Sequence, residues 1–129
     1  MTASKQRTLG SDVSLEGVGV HSGEASRLTL RPGKPGSGIV FRRVDLEGEP
    51  EVPADLDHVS GTELGTSLVA GDVKILTVEH VLAALASRYV DNAVLDLSGP
   101  EPPIRDGSFK DFLDAVETAG VVEQDEEAT

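Results

Sequence analysis

The chain has no cysteine and no tryptophan, and only one tyrosine, among its 129 residues. A protein without cysteine can form neither disulfides nor a thiolate zinc site. Aromatic residues make up 3% of the sequence, so valine, leucine and alanine must supply most of the core. No apolar run approaches the roughly 20 residues that a membrane helix needs, and residues 1–7 lack the apolar segment of a signal peptide. These absences favour a cytoplasmic protein.

Positive charge is also scarce in this chain. The 11 Lys and Arg residues stand against 23 Asp and Glu residues, which gives a net charge of -12. Because that balance repels phosphate backbones, nucleic acid is not an expected partner. A chain of 129 residues buries its own core as one domain. We expect that domain to span residues 1–122, followed by an acidic polar tail or the start of a linker at residues 123–129.

The order of the hydrophobic patterns predicts an α+β fold. Alternating apolar residues between Gly and Pro turns indicate six or seven strands, with clear examples at 13–16, 27–31, 39–44, 64–69, 73–76 and 92–97. Helical spacing predicts one helix at 78–88, with Thr77 as its N-cap, and a second at 108–119, between Ser108 and Gly120. We therefore expect a mostly antiparallel sheet with the two helices packed on one face.

The first of these helices is apolar on every side between residues 81 and 86. A helix without a polar face is usually covered on both sides. One side would pack on the sheet of this domain, and a second domain or a second copy of the chain would cover the other. The alternative is that its small alanines face water.

Glu79 and His80 stand side by side where this helix begins. A carboxylate beside an imidazole suits a general base next to a metal ligand. A zinc site with two histidines on one helix needs the second histidine four residues on, and position 84 is alanine. His80 would therefore supply only one of the about three protein ligands that a catalytic zinc takes. The structural alternative is that Glu79 complements the helix dipole and His80 is a surface or capping group.

Three further polar residues lie in loops. His21 sits on a glycine-rich tip between Gly17 and Gly23, where it could approach a ligand closely, but the spacing alone favours a hairpin turn with a solvated histidine. Asp106 belongs to an Asp-Gly-Ser sequence that a turn and a helix N-cap explain fully. His58 fits an ordinary loop. The glycine clusters lack the spacing of a phosphate-binding loop.

Ten short segments, taken together and in order, resemble one known family. They are Gln6–Leu9, Gly17–Gly23, Leu28–Pro32, Gly38–Arg43, Val52–Asp55, Thr77–His80, Leu82–Leu85, Asp91–Asn92, Pro103–Ile104 and Asp106–Ser108. The family is UDP-3-O-acyl-N-acetylglucosamine deacetylase, the zinc-dependent deacetylase of bacterial lipid A biosynthesis. The resemblance is to its N-terminal domain and runs from about residue 5 to residue 124.

This resemblance implies a two-domain enzyme whose halves pack helix layer against helix layer. It implies that His80 is a zinc ligand and that Glu79 is the general base that activates the attacking water. His21 matches a loop near the substrate, and Asp106 matches a residue with a supporting role close to the site. His58 matches no site of the family.

The resemblance also implies that the zinc site is incomplete in this chain, because the other ligands lie in the family's second domain. We therefore expect the isolated chain to be inactive and to need a complementary C-terminal domain, or a homodimer, to act on a UDP-acyl-glucosamine substrate. The alternative is a non-catalytic domain of the same fold that acts as a binding or homodimeric assembly module.

Overall fold

The computed structural model describes residues 5–19, 21–55, 58–62, 65–103 and 109–127. Within these residues the chain forms ten strands and two helices. In chain order they are β1 (Lys5–Leu9), β2 (Val13–Val18), β3 (Ala25–Pro32), β4 (Ile39–Arg43), β5 (Glu51–Pro53), β6 (Val59–Thr62), β7 (Gly65–Ala70), β8 (Val73–Ile75), α1 (Glu79–Ser87), β9 (Ala93–Leu97), α2 (Phe109–Ala119) and β10 (Val121–Glu127).

The strands form one main sheet and two small ones. The main sheet has the order β2-β3-β9-β4-β5, and β6-β7-β8 and β1-β10 form the others. All strand pairs are antiparallel except β4 and β9, which run parallel. The α+β prediction is confirmed, with more strands and more sheets than the sequence pattern indicated.

Alternation along the central strands gives the main sheet one apolar face. Leu28 and Leu30 of β3 lie opposite Leu97 and Leu95 of β9, and Leu95 also faces Phe41 of β4. All five side chains are fully buried. Because side chains alternate between the faces of a strand, the residues between them lie on the other face. The apolar face is therefore the centre of the core.

The two helices contact each other and complete that core. α1 buries Val81, Ala84 and Leu85, whereas Ala83 and Ala86 are exposed. α2 contacts α1 and β2 and contributes Phe112, Ala115, Val116 and Ala119 to the core. Neither described helix is long and apolar enough to cross a membrane. Within the described residues one side of α1 is therefore apolar and exposed, and what covers it stays a prediction.

The predicted N-cap of the first helix is wrong. Val78 occupies the N-cap position and makes no side-chain cap hydrogen bond. The Thr77 hydroxyl donates instead to the buried carboxylate of Glu101, a partner that the local pattern does not reveal. Ser108, the cap predicted for the second helix, lies outside the described residues.

Most of the segment predicted to be an acidic polar tail or the start of a linker has regular structure, at residues 123–127. These residues belong to β10, which pairs antiparallel with β1. The side chain of Gln124 adds two contacts, since its Oε1 accepts from Asn92 Nδ2 (2.7 Å) and its Nε2 donates to Gly33 O (2.9 Å). Backbone pairing and this amide stabilise a strand whose composition is typical of disorder.

A charged cluster occupies the face of the main sheet opposite the core. Asp96 of β9 accepts hydrogen bonds from Arg31 Nε (2.6 Å) and Arg42 Nε (2.7 Å), on the two neighbouring strands. Burial by itself would raise the pKa of Asp96, but the hydrogen bonds and charges of Arg42 and Arg31 outweigh it and hold that pKa below its usual range. The ionised form of Asp96 therefore cross-links three strands.

We expect Asp96→Asn to lower the free energy of unfolding at neutral pH by about 1–3 kcal/mol, because a nearly buried charge-assisted pair is lost. Since folding depresses the pKa of Asp96, its contribution is present above the ordinary aspartate pKa of about 3.9 and is lost as the pH falls further. Urea unfolding at several pH values measures this. Asp72→Asn, on the exposed β7–β8 turn, is the matched control, and equal losses in both variants would contradict the assignment.

Candidate functional site

The loop between β2 and β3 carries His21 and folds back on itself. Gly19 N donates to Glu24 O (3.0 Å), and Gly23 N donates to Gly19 O (3.0 Å). Gly23 has a φ of 69°, a conformation that glycine adopts without a steric penalty. The glycine-rich hairpin predicted from the sequence is confirmed, and His21 lies in its tip.

Glu101 joins this loop to the start of α1. Its side chain is 0% exposed. Its Oε1 accepts hydrogen bonds from the backbone N–H groups of His21 (2.9 Å) and Ser22 (2.8 Å). Its Oε2 lies 3.1 Å from His21 Nδ1 and accepts the hydroxyl proton of Thr77. One buried carboxylate thus binds two separate segments of the chain.

Glu101 remains ionised in this environment. Burial by itself would raise its pKa, but hydrogen bonds from Thr77, from the backbone of Ser22 and from His21 outweigh burial and lower the pKa below its usual value. A carboxylate that accepts several hydrogen bonds is stabilised in its charged form. Both oxygens are therefore acceptors in the contacts described above.

Thr77 sets the direction in which the chain enters α1. Its φ is 55°, in the left-handed region that is costly for a β-branched residue. The contact with Glu101 and the hydrogen bond from Val78 N to Thr66 O (3.1 Å) hold the chain there. Glu79 follows as the first helical residue, and its Oε2 accepts a hydrogen bond from Thr66 N at 3.4 Å.

Glu79 and His80 each have one buried polar atom without a hydrogen-bond partner among the described residues. Glu79 Oε1 and His80 Nδ1 are shielded from solvent and have no hydrogen-bond partner within the described part of the chain. Leaving such atoms unpaired is costly, so they usually mark a place where a ligand, ion or water binds. The alternative that His80 is a plain surface group is not supported, because its ring nitrogen is buried.

The side chains of Glu79 and His80 fit part of a zinc site by their chemistry. An imidazole nitrogen and a carboxylate oxygen are atoms that zinc binds. Within the described residues, however, no group of three or more His, Cys, Asp or Glu residues could hold a metal ion. The described residues therefore bring together one imidazole and one carboxylate at the start of α1, and their roles as zinc ligand and general base stay predictions.

The remaining candidate residues lie apart from this arrangement or outside the described residues. His58 pairs with Asp55 through its Nδ1, and its backbone carbonyl accepts from Val69 N (2.8 Å). These contacts agree with the ordinary loop role expected for His58. Asp106 lies outside the described residues, so its supporting role stays a prediction.

Comparison with known proteins decides the family. The sequence profile described as UDP-3-O-acyl N-acetylglycosamine deacetylase matches residues 6–129. The chain belongs to this deacetylase family.

Its curated relatives are longer proteins. A UDP-3-O-acyl-N-acetylglucosamine deacetylase of Methylococcus capsulatus is 52% identical over 94% of this chain and 40% of the relative. A protein of the same name from Coxiella burnetii is 50% identical over 93% of this chain and 40% of the relative. A bifunctional enzyme LpxC/FabZ of Chlorobaculum tepidum is 47% identical over 94% of this chain and 26% of its own length. The chain thus spans less than half the length of these relatives.

Sequence reasoning missed Glu101 as a member of the site. The residue stands between Pro100 and Pro102, and no motif or periodicity of the sequence marks it as a site residue. Its one local signal is a single carboxylate placed among three prolines, Pro100, Pro102 and Pro103. That signal could have marked it, but its partners His21 and Thr77 are too distant in sequence to be deduced.

We expect Gly19→Ala to destabilise the His21 loop. A Cβ at Gly19 would lie 2.4 Å from both Glu101 Oε1 and Ser22 Oγ, and Glu101 cannot move without losing its hydrogen bonds. Overpacking of this kind costs about 1–3 kcal/mol. Gly99→Ala is the matched control, because a Cβ there meets its nearest atoms at an ordinary 3.8 Å. Urea unfolding compares the two variants, and equal stability would contradict the tight contact.

Proposed function

We propose that this chain is one domain of a zinc-dependent deacetylase that hydrolyses the acetamide of a UDP-3-O-acyl-N-acetylglucosamine in lipid A biosynthesis. Membership of the deacetylase family supports the reaction class. The observation that carries the proposal is the adjacent pair Glu79 and His80, each with a buried and unpartnered polar atom at the start of α1.

Glu79 is the general base of the proposed reaction. It takes a proton from the attacking water, whose oxygen bonds to the acetamide carbonyl carbon. The carbon–nitrogen bond then breaks, acetate leaves, and the proton passes to the departing amine nitrogen. The contact of Glu79 Oε2 with Thr66 N leaves Oε1 as the oxygen that meets the water.

His80 is the zinc ligand that this chain contributes. When bound, zinc polarises a carbonyl oxygen and makes water a better nucleophile at neutral pH. His21 lies near the substrate, and Asp106 supports the site. The other ligands come from a complementary C-terminal domain, or from a second copy of the chain, so the isolated chain is inactive.

In this proposal, the molecule that covers the exposed side of α1 also supplies the missing zinc ligands. The exposed alanines Ala83 and Ala86 lie on the helix that begins with Glu79 and His80. A partner that covers this side of α1 comes close to the candidate site and can complete it. A cytoplasmic location suits a nucleotide-sugar substrate and a chain without cysteine.

Reconstitution tests the proposal. The segment of the Methylococcus capsulatus relative that this chain does not match serves as the complementary domain, and acetate release from UDP-3-O-acyl-N-acetylglucosamine is measured. We expect activity only in the mixture. Glu79→Gln should lower it by roughly 10²- to 10⁴-fold, the usual contribution of a general base.

Glu117→Gln on α2, the same chemical change at a half-exposed residue paired with Arg88, is the matched control and should leave activity unchanged. A mixture that forms a stable complex and releases no acetate would contradict the proposed function. Equal activity of Glu79→Gln and Glu117→Gln would contradict the role of Glu79.

A further inference from the structure

We infer that Glu101 is a positioning residue that fixes the tautomer of His21, with the proton on Nδ1 and with Nε2 presented to the ligand as a hydrogen-bond acceptor. The inference rests on the proposed function only for the identity of that ligand. The arrangement of Glu101, His21 and Thr77 carries it, and that arrangement belongs to the chain itself.

The proton positions follow from counting donors and acceptors. Glu101 Oε2 accepts the Thr77 hydroxyl proton, so that proton is not available to His21. His21 Nδ1 lies 3.1 Å from Oε2 and 3.0 Å from Thr77 Oγ1. Both neighbours present lone pairs, and a bare nitrogen lone pair facing them would be repelled. Nδ1 must therefore carry a proton and donate it to this pair.

Glu101 cannot easily take another orientation. Its Oε1 is occupied by two backbone N–H groups, those of His21 and Ser22. Gly19 leaves room for the carboxylate, because a Cβ at this position would lie 2.4 Å from Glu101 Oε1. Oε2 is therefore fixed toward Thr77 and Nδ1, and the orientation of the imidazole follows from that of the carboxylate.

The consequence concerns the other ring nitrogen. A neutral imidazole with a proton on Nδ1 has a lone pair on Nε2. The Glu101 side chain is fully buried, whereas 29% of the His21 side-chain surface is exposed. A carboxylate behind an imidazole is the arrangement that sets tautomer and orientation in many catalytic and metal-binding sites. Nε2 is thus suited to accept a hydrogen bond from a donor on the ligand, such as a sugar hydroxyl.

A purely structural role for Glu101 makes a different prediction. A carboxylate that only held the loop would be replaceable by any acceptor of its shape, and the tautomer of His21 would not depend on its charge.

In Glu101→Gln the side-chain carbonyl can keep the two backbone hydrogen bonds, but the amide then points toward Nδ1. An amide donates, so His21 Nδ1 would become an acceptor and the proton would move to Nε2.

The test is a long-range proton–nitrogen correlation NMR spectrum of the imidazoles of the nitrogen-15-labelled chain. It is recorded at rising pH until the rings are neutral. The chain has three histidines, and His58→Gln and His80→Gln spectra assign the third to His21. We expect wild-type His21 to carry its proton on Nδ1. In Glu101→Gln the ratio of the Nδ1-protonated to the Nε2-protonated form of His21 should fall by roughly tenfold or more. The reason is that one charge-assisted hydrogen bond to Nδ1–H is lost.

Glu117→Gln is the control and should leave the ratio unchanged. A wild-type proton on Nε2, or an unchanged ratio in folded Glu101→Gln, would overturn the inference. If the variant does not fold, the wild-type spectrum still decides between the two tautomers. A chain with the expected tautomer that fails in reconstitution would keep this inference and lose the proposed function, so the two failures are distinguishable.

Discussion

One buried carboxylate, that of Glu101, organises the region on which the proposed activity depends. It binds the tip of the β2–β3 hairpin and the residue that leads into α1. Burying a charge is costly unless its hydrogen bonds are satisfied, and here two backbone N–H groups, a hydroxyl and an imidazole satisfy them. The same contacts hold Thr77 in a left-handed conformation, which in turn determines where Glu79 and His80 begin the helix.

Two features of the chain point independently to a covering partner. The first is geometric, since α1 leaves the small apolar side chains of Ala83 and Ala86 exposed, within a run at residues 81–86 that has no polar residue. The second is chemical, since His80, the proposed zinc ligand, belongs to no group of three or more His, Cys, Asp or Glu residues that could hold a metal ion within the described part of the chain. Both lie on the same helix, so the partner that we propose would bury the apolar surface and also complete the proposed ligand set.

The parts of the structure that depend on local pattern were predictable. Alternation and helical spacing predicted the strands at 64–69 and 73–76, both helices, and the position of Glu79 and His80 near a helix start, and the glycine pattern predicted the β2–β3 hairpin. The failures were long-range. Thr77 donates its hydroxyl proton to a residue 24 positions away, and Glu101 accepts from backbone N–H groups 80 and 79 positions earlier. β10 forms because β1 is available to pair with it, and composition carries no information about such a partner.

The proposed shared zinc site is tested most directly by the zinc content of the dialysed mixture of this chain with the complementary domain, measured for the wild type, His80→Ala and the loop control His58→Ala. We expect about one zinc per complex in the wild type and in His58→Ala, as for a single catalytic site. We expect none in His80→Ala, and none in the isolated wild-type chain. Zinc that persists in His80→Ala, or that the isolated chain binds just as tightly, would contradict the claim that His80 contributes one ligand to a site shared with a partner.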